Sequence, residues 1–113
     1  MQDDWPYADS LDALIAAPLH HRLLMENERV RVLETRIPPG DKTPIHTHRW
    51  PSVLYTASAS DFLRYDEQGK IITDSRMGTR PASPAAWVPP MAPHAVENIG
   101  TAEIHLINVE WKL

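Results

Sequence analysis

Pro38-Pro39-Gly40-Asp41-Lys42-Thr43-Pro44-Ile45-His46-Thr47-His48 is a turn signal followed by two histidines one residue apart. If residues 45–48 form a strand, both imidazoles share one face and Thr47 takes the other. A third histidine, His94, ends a second proline-rich stretch, Pro89-Pro90-Met91-Ala92-Pro93, and stands four residues before Asn98. Together the three point to a mononuclear metal site facing a barrel interior. With six histidines in 113 residues, a His-x-His pair arises by chance about 0.3 times, and requiring a glycine six residues upstream lowers this to about 0.01.

Composition narrows the chemistry. A chain of 113 residues is long enough for one real core but not two. Eleven Lys and Arg against 15 Asp and Glu give a net charge of −4, with no basic run to track phosphates, so nucleic acid is not an expected partner. The absence of cysteine excludes disulfides, thiolate zinc sites, iron–sulfur clusters and cysteine nucleophiles, so any metal must be held by nitrogen and oxygen. No stretch approaches the ~20 apolar residues of a membrane span. Met1-Gln2-Asp3-Asp4 is acidic where a secretory signal is basic, so the expected location is cytoplasmic.

Outward from the histidine pair, the pattern is one of short extended runs. Strands are expected near 21–26, 29–37, 45–48, 52–57, 61–65, 70–74, 85–88, 94–98 and 103–110. Asn27-Glu28, Asp66-Glu67-Gln68-Gly69, Pro89-Pro90 and Gly100 mark turns between them. Strands so spaced, in a chain with 11 prolines, indicate an all-β sandwich or barrel. The one helix expected is short: Ser10 as cap, Leu11, Leu14 and Ile15 on one face, and Pro18 beyond its end. It is expected to pack on a sheet rather than carry chemistry.

In these features the sequence resembles the cupin superfamily. The first cupin motif, Gly, five residues, His-x-His, is matched by Gly40 to His48, and the second, ending in His, three residues, Asn, by Pro89 to Asn98. The resemblance covers about residues 28–112. It implies a double-stranded β-helix, a jelly-roll barrel over 21–113 after a helical extension at 1–20, with His46, His48 and His94 binding one divalent metal. The chain departs from the motif where its glutamate ligand falls: Ser52, or Val53 with the longer spacing, stands there. Ala59 and Met91 replace two motif glycines. Three neutral imidazoles without a carboxylate would leave a divalent centre with a formal +2 charge and greater Lewis acidity. That resembles the three-histidine cupins, among them dioxygenases of diketones, thiols and hydroxybenzoates. Fe(II) is then the favoured ion, with Zn, Ni, Mn or Cu also compatible with the donors.

Plainer roles stand beside these. The three histidines could be hydrogen-bonded core residues of a barrel that has lost its metal. His105 could be a fourth ligand, although a strand histidine outside the motif is expected to be structural. His20 and His21 precede the first strand and are expected to meet solvent or a subunit. Glu97, three residues from His94, falls on the opposite strand face. Asn98 is expected to close the Ile99-Gly100 turn, or to hydrogen-bond behind the site. Arg49, Trp50, Tyr55 and Trp87 are candidates for a substrate pocket, and Arg36, Arg49 and Arg64 for pairing with an anionic substrate. No catalytic acid or base is identifiable.

The function expected from these observations is a mononuclear non-haem metal oxidoreductase, dioxygenase-like, acting on a small anionic substrate. The alternatives are metal-assisted isomerase or hydrolase chemistry, and a non-catalytic module that binds or senses a small ligand. A homodimer joined through sheet edges is expected.

Overall fold

Along the strand Val30–Ile37 burial alternates: Arg31, Leu33, Thr35 and Ile37 turn inward and the residues between them outward. This period of two is what a sheet with one covered face requires. The computed structural model describes residues 4–112, so residues 1–3 and 113 lie outside what is described. Among the described residues nine strands occur in chain order: β1 His21–Glu26, β2 Val30–Ile37, β3 His46–His48, β4 Ser52–Ser58, β5 Phe62–Asp66, β6 Ile71–Asp74, β7 Ala85–Val88, β8 Met91–Asn98 and β9 Ile104–Trp111. They form a five-stranded sheet, β1-β2-β9-β4-β7, facing a four-stranded sheet, β3-β8-β5-β6. All strand pairs are antiparallel. The architecture is therefore the all-β double-stranded β-helix that the motifs implied.

Residues paired across the large sheet share a face, so its inner surface can be read in rows. Arg31, Glu110 and Ser52 make one row, Leu33, Asn108 and Leu54 the next, and His21, Thr35, Leu106 and Thr56 a third. Leu33, Ile37 and Ile104 are buried and belong to the apolar part of the interior. Polar side chains take up the rest, including Thr35, Thr43, Asn108 and Glu110.

The turns follow from local chemistry. Gly40 has φ +85°, the left-handed conformation that glycine adopts most readily. Its N–H donates to the Asn98 carbonyl at 2.9 Å, which ties the loop before β3 to the end of β8. In the β5–β6 hairpin the Asp66 carboxylate accepts from the N–H groups of Gln68 and Lys70, both at 2.9 Å.

Two expectations are corrected. The helix is a 3₁₀ turn at Asp9–Leu11 followed by one α-helical turn, α1 (Ala13–Ala16), and its cap is Asp12, not Ser10. Asp12 accepts from Leu14 N at 3.1 Å, while Ile15, expected on the packed face, is exposed and Ala13 and Ala17 are buried. The second correction is that β8 begins at Met91, three residues earlier than expected, despite Pro93. The ladder accommodates the proline by shifting register between His46 and His48, which pair with His94 and Met91.

Candidate metal centre

His46 and His48 face the space between the sheets from β3, and His94 faces it from β8, directly opposite His46. Thr47 points away and is buried under the N-terminal segment, where it bridges to Asp12. The His94 ring lies 4.4 Å from the His46 ring and 5.7 Å from that of His48. A fourth imidazole joins them from the opposite sheet. His21 is buried, its ring 4.6 Å from His46 and 5.4 Å from His48. One nitrogen each from His21, His46 and His48 lies within 4.8 Å of the others. The expectation that His20 and His21 meet solvent or a subunit is thereby corrected: His21 is turned inward by its pairing with Thr35, and His20 is buried against Asp41.

Each ring is held by its Nδ1. His46 donates to the Pro44 carbonyl and His94 to the Ala92 carbonyl, both at 2.8 Å. His21 donates to the Ala17 carbonyl at 3.0 Å, and His48 to the Glu110 carboxylate at 3.1 Å. Carbonyl and carboxylate oxygens only accept, so the proton sits on Nδ1 and each Nε2 keeps its lone pair. Among the described residues none of the four Nε2 atoms has a hydrogen-bond partner. Burial, followed by repulsion from neighbouring rings, pushes His21 down to about 2, His94 to about 3 and His46 to about 4. Rings oriented from behind in this way, with His21, His46 and His94 held neutral, fit a divalent ion of intermediate softness.

The support under His48 reaches across the barrel. Glu110 is fully buried and accepts from Arg31 Nε at 2.8 Å as well as from His48. Arg31 in turn grips Asp12 with two bonds, of 2.9 and 3.1 Å, and its guanidinium lies 5.0 Å from the Trp50 ring. Burial works against the Arg31 charge, but Asp12 and Glu110 more than offset it and the net shift is upward. Ser52, where the motif expects a carboxylate, pairs directly with Glu110 and accepts from Asn108 at 3.3 Å. The expectation of a carboxylate-free centre is thus amended. The first motif lacks its carboxylate, but a buried one stands one strand away, bonded to the back of a histidine.

A cavity of about 700 Å³ opens from the histidines, lined by Leu54, Phe62, Val88, Met91, Val96 and Leu106 among others. None of Arg49, Trp50, Tyr55 and Trp87 lines it. On β4 the inward positions are Ser52, Leu54 and Thr56, so Tyr55 projects outward, and Trp87 pairs with outward Val53. Trp50 instead covers Arg31, and Arg49 approaches Asp9 on the outside. Of the arginines considered for an anionic substrate, Arg36 is held outside by Glu34 and Glu103, whereas Arg64 lines the cavity. His105 donates to Glu34 at 2.8 Å, away from the centre. Glu97 accepts from Tyr65 on the opposite face to His94, and Asn98 closes the Ile99-Gly100 turn by bonding Gly100 N and the carbonyls of Ile37 and Ala102.

No protein-family model matches the sequence, and no curated protein matches it either. Solved structures do. A cupin domain from Bordetella pertussis Tohama I shares 27% identity over 82% of this chain and 92% of its own, with a TM-score of 0.64. An RmlC-like cupin with a double-stranded β-helix fold from Methanocaldococcus jannaschii is 16% identical over 80% of this chain and 77% of its own, at a TM-score of 0.56. The polyketide cyclase RemF of Streptomyces resistomycificus is 23% identical over 80% of this chain and 63% of its own, at a TM-score of 0.54. The chain therefore has the double-stranded β-helix fold of cupin proteins, with a buried histidine cluster between its sheets.

Proposed function

We propose that this chain is a mononuclear metal protein, holding one divalent ion through His46, His48 and His94 with His21 as a further ligand, and that it oxidises a small anionic molecule within the barrel. The observation that carries this reading is the shared arrangement of the four rings, each tied by Nδ1 to an acceptor and each with an unengaged Nε2. Four imidazoles gathered only to fill a core would not need to point four unpartnered Nε2 atoms into one shared cavity. When bound, Fe(II), the favoured ion, supplies Lewis acidity and one-electron chemistry with dioxygen. The chain's own residues set the stage for it: Glu110 fixes the tautomer of His48 and strengthens it as a donor, and Leu54, Phe62, Val96 and Leu106 give the cavity apolar walls beside the rings.

Elemental analysis of the protein as purified tests the centre. About one divalent ion per chain is expected, falling below a tenth in His48→Ala; equal content in both would overturn the reading. Oxygen uptake by iron-loaded protein with diketones, thiols and hydroxybenzoates tests the redox part. Lewis-acid chemistry without redox is the second reading, encouraged by the polyketide cyclase among the similar folds. Activity that survives exchange of iron for zinc would select it.

A homodimer belongs to the same proposal. The edge strand β1 exposes Leu23, Leu24 and Met25, and a second copy would cover them. Sedimentation showing only monomer would remove this element.

A further inference from the structure

Arg64 is the one charged cavity-lining side chain among the described residues that the network around Glu110, the turns and the surface pairs leave without a counter-ion. It lies on β5 opposite Val96, and Val96 shares its face of β8 with His94, so the guanidinium enters the cavity from the wall that carries a histidine. Its Nε is buried without a hydrogen-bond partner, and no carboxylate pairs with it. The Phe62 ring lies 5.6 Å from its Cζ. Burial pushes the guanidinium below its ordinary range with no anion to offset the loss. Arg80, the other arginine at the cavity, is exposed and paired with Asp61.

A half-buried guanidinium whose Nε is fully covered and unpartnered carries a desolvation cost, which an anion entering the cavity would offset. We infer that Arg64 is an anion receptor for the carboxylate of a small apolar monocarboxylic acid, which it grips while the far end of the acid reaches the histidine centre. Several features select that class. The planar fork matches a carboxylate with two parallel bonds. One cation offsets one negative charge, so a dianion such as a phosphate monoester would leave charge uncompensated among Leu54, Phe62 and Val96. Arg64 and His94 stand two residues apart along the ladder, roughly 7 Å of strand, which suits a molecule about one aromatic ring long. The cavity of about 700 Å³ accommodates such a molecule. The carboxylate grip stands on Arg64 alone; only the placement of the far end rests on the metal reading above.

Benzoate and benzamide, equal in shape and different in charge, are the probes, titrated calorimetrically into chelator-stripped and zinc-loaded protein. Stripped wild-type protein is expected to bind benzoate at least tenfold more tightly than benzamide. Arg64→Met is expected to abolish that preference while leaving benzamide unchanged, and Arg64→Lys to keep part of it, because the charge remains and the fork is lost. A benzoate preference that persists in Arg64→Met, or that appears only with zinc in every variant, would overturn the inference and leave the metal reading intact. A preference that depends on Arg64 in protein whose metal content does not respond to His48→Ala would do the reverse. If Arg64→Met fails to fold, the wild-type comparison and Arg64→Lys still decide: equal binding of the two probes to stripped wild type, or an undiminished preference in the lysine variant, counts against the grip.

Discussion

The two sheets contribute to the centre in different ways. The four-stranded sheet brings His46, His48 and His94 from two local motifs, with two of the rings oriented by a carbonyl two residues upstream in the chain. The five-stranded sheet brings His21 and Glu110 by register alone: His21 is inward because it pairs with Thr35, and Glu110 because it pairs with Arg31 and Ser52. A site can thus be half written in short sequence patterns and half in pairings between residues far apart in the chain.

The largest test of that contrast is Glu110→Ala, which removes the one group linking the second sheet to His48. It leaves Arg31 with Asp12 alone at a buried position, and a loss of about 3–5 kcal/mol in denaturant unfolding is expected. An effect under about 1 kcal/mol would mean that the network is incidental. Glu110→Gln keeps the shape but weakens the bond to His48. Metal affinity, measured by competition with a chelator, is expected to fall 10–100-fold while the fold survives. No change would confine Glu110 to a structural role.

Acid should probe both sheets at once. His21, His46 and His94 titrate at about 2, 4 and 3 in the folded chain, all below the ordinary 6.5. As pH falls below 6.5 the unfolded chain takes up protons that the folded rings refuse. The metal-free fold is therefore at full stability above that value and loses it toward pH 4, by about 1.4 kcal/mol per pH unit for each fully responding ring. Unfolding curves of chelated protein from pH 7 to 4 measure this. His21→Ala and His94→Ala should each flatten the acid limb, and a limb that only His94→Ala changes would restrict the cluster to the motif sheet. The smallest effect expected is that of Trp87→Ala. This residue is 58% exposed, and its loss should shift stability by no more than about 0.5 kcal/mol and leave benzoate binding unchanged.

Most of the barrel was legible because short alternating runs and turn residues are local signals. The Gly40 turn, the one-sided pair at His46 and His48, and the reach of the strands could all be derived from neighbours in the chain. Tyr55 and Trp87 were misplaced because the sidedness of β4 is set by Ser52 facing inward, which a serine does not announce. His21 was missed although a strand was expected at 21–26: its inward side is set by pairing with Thr35, a partner in another strand that no local pattern announces. Glu110 could have been found by asking what a carboxylate does near the end of a strand rich in Ile, Leu and Val, in a chain whose motif has lost its own.

One consequence follows from the carbonyl of Ala17. The Ala17 N–H closes the only α-helical turn among the described residues by donating to the Ala13 carbonyl, so the same residue ends the turn and presents the acceptor that aims His21. A single turn has almost no stability of its own, so its order depends on what holds its ends. Occupancy of the histidine cluster would hold one end through His21, and Asp12 holds the other through Arg31. The state of the buried centre is therefore written on the outside of the molecule. Amide exchange across 13–17, and cleavage by a protease at the 92% exposed Leu19, should both slow when metal is added, although neither backbone segment touches the ion.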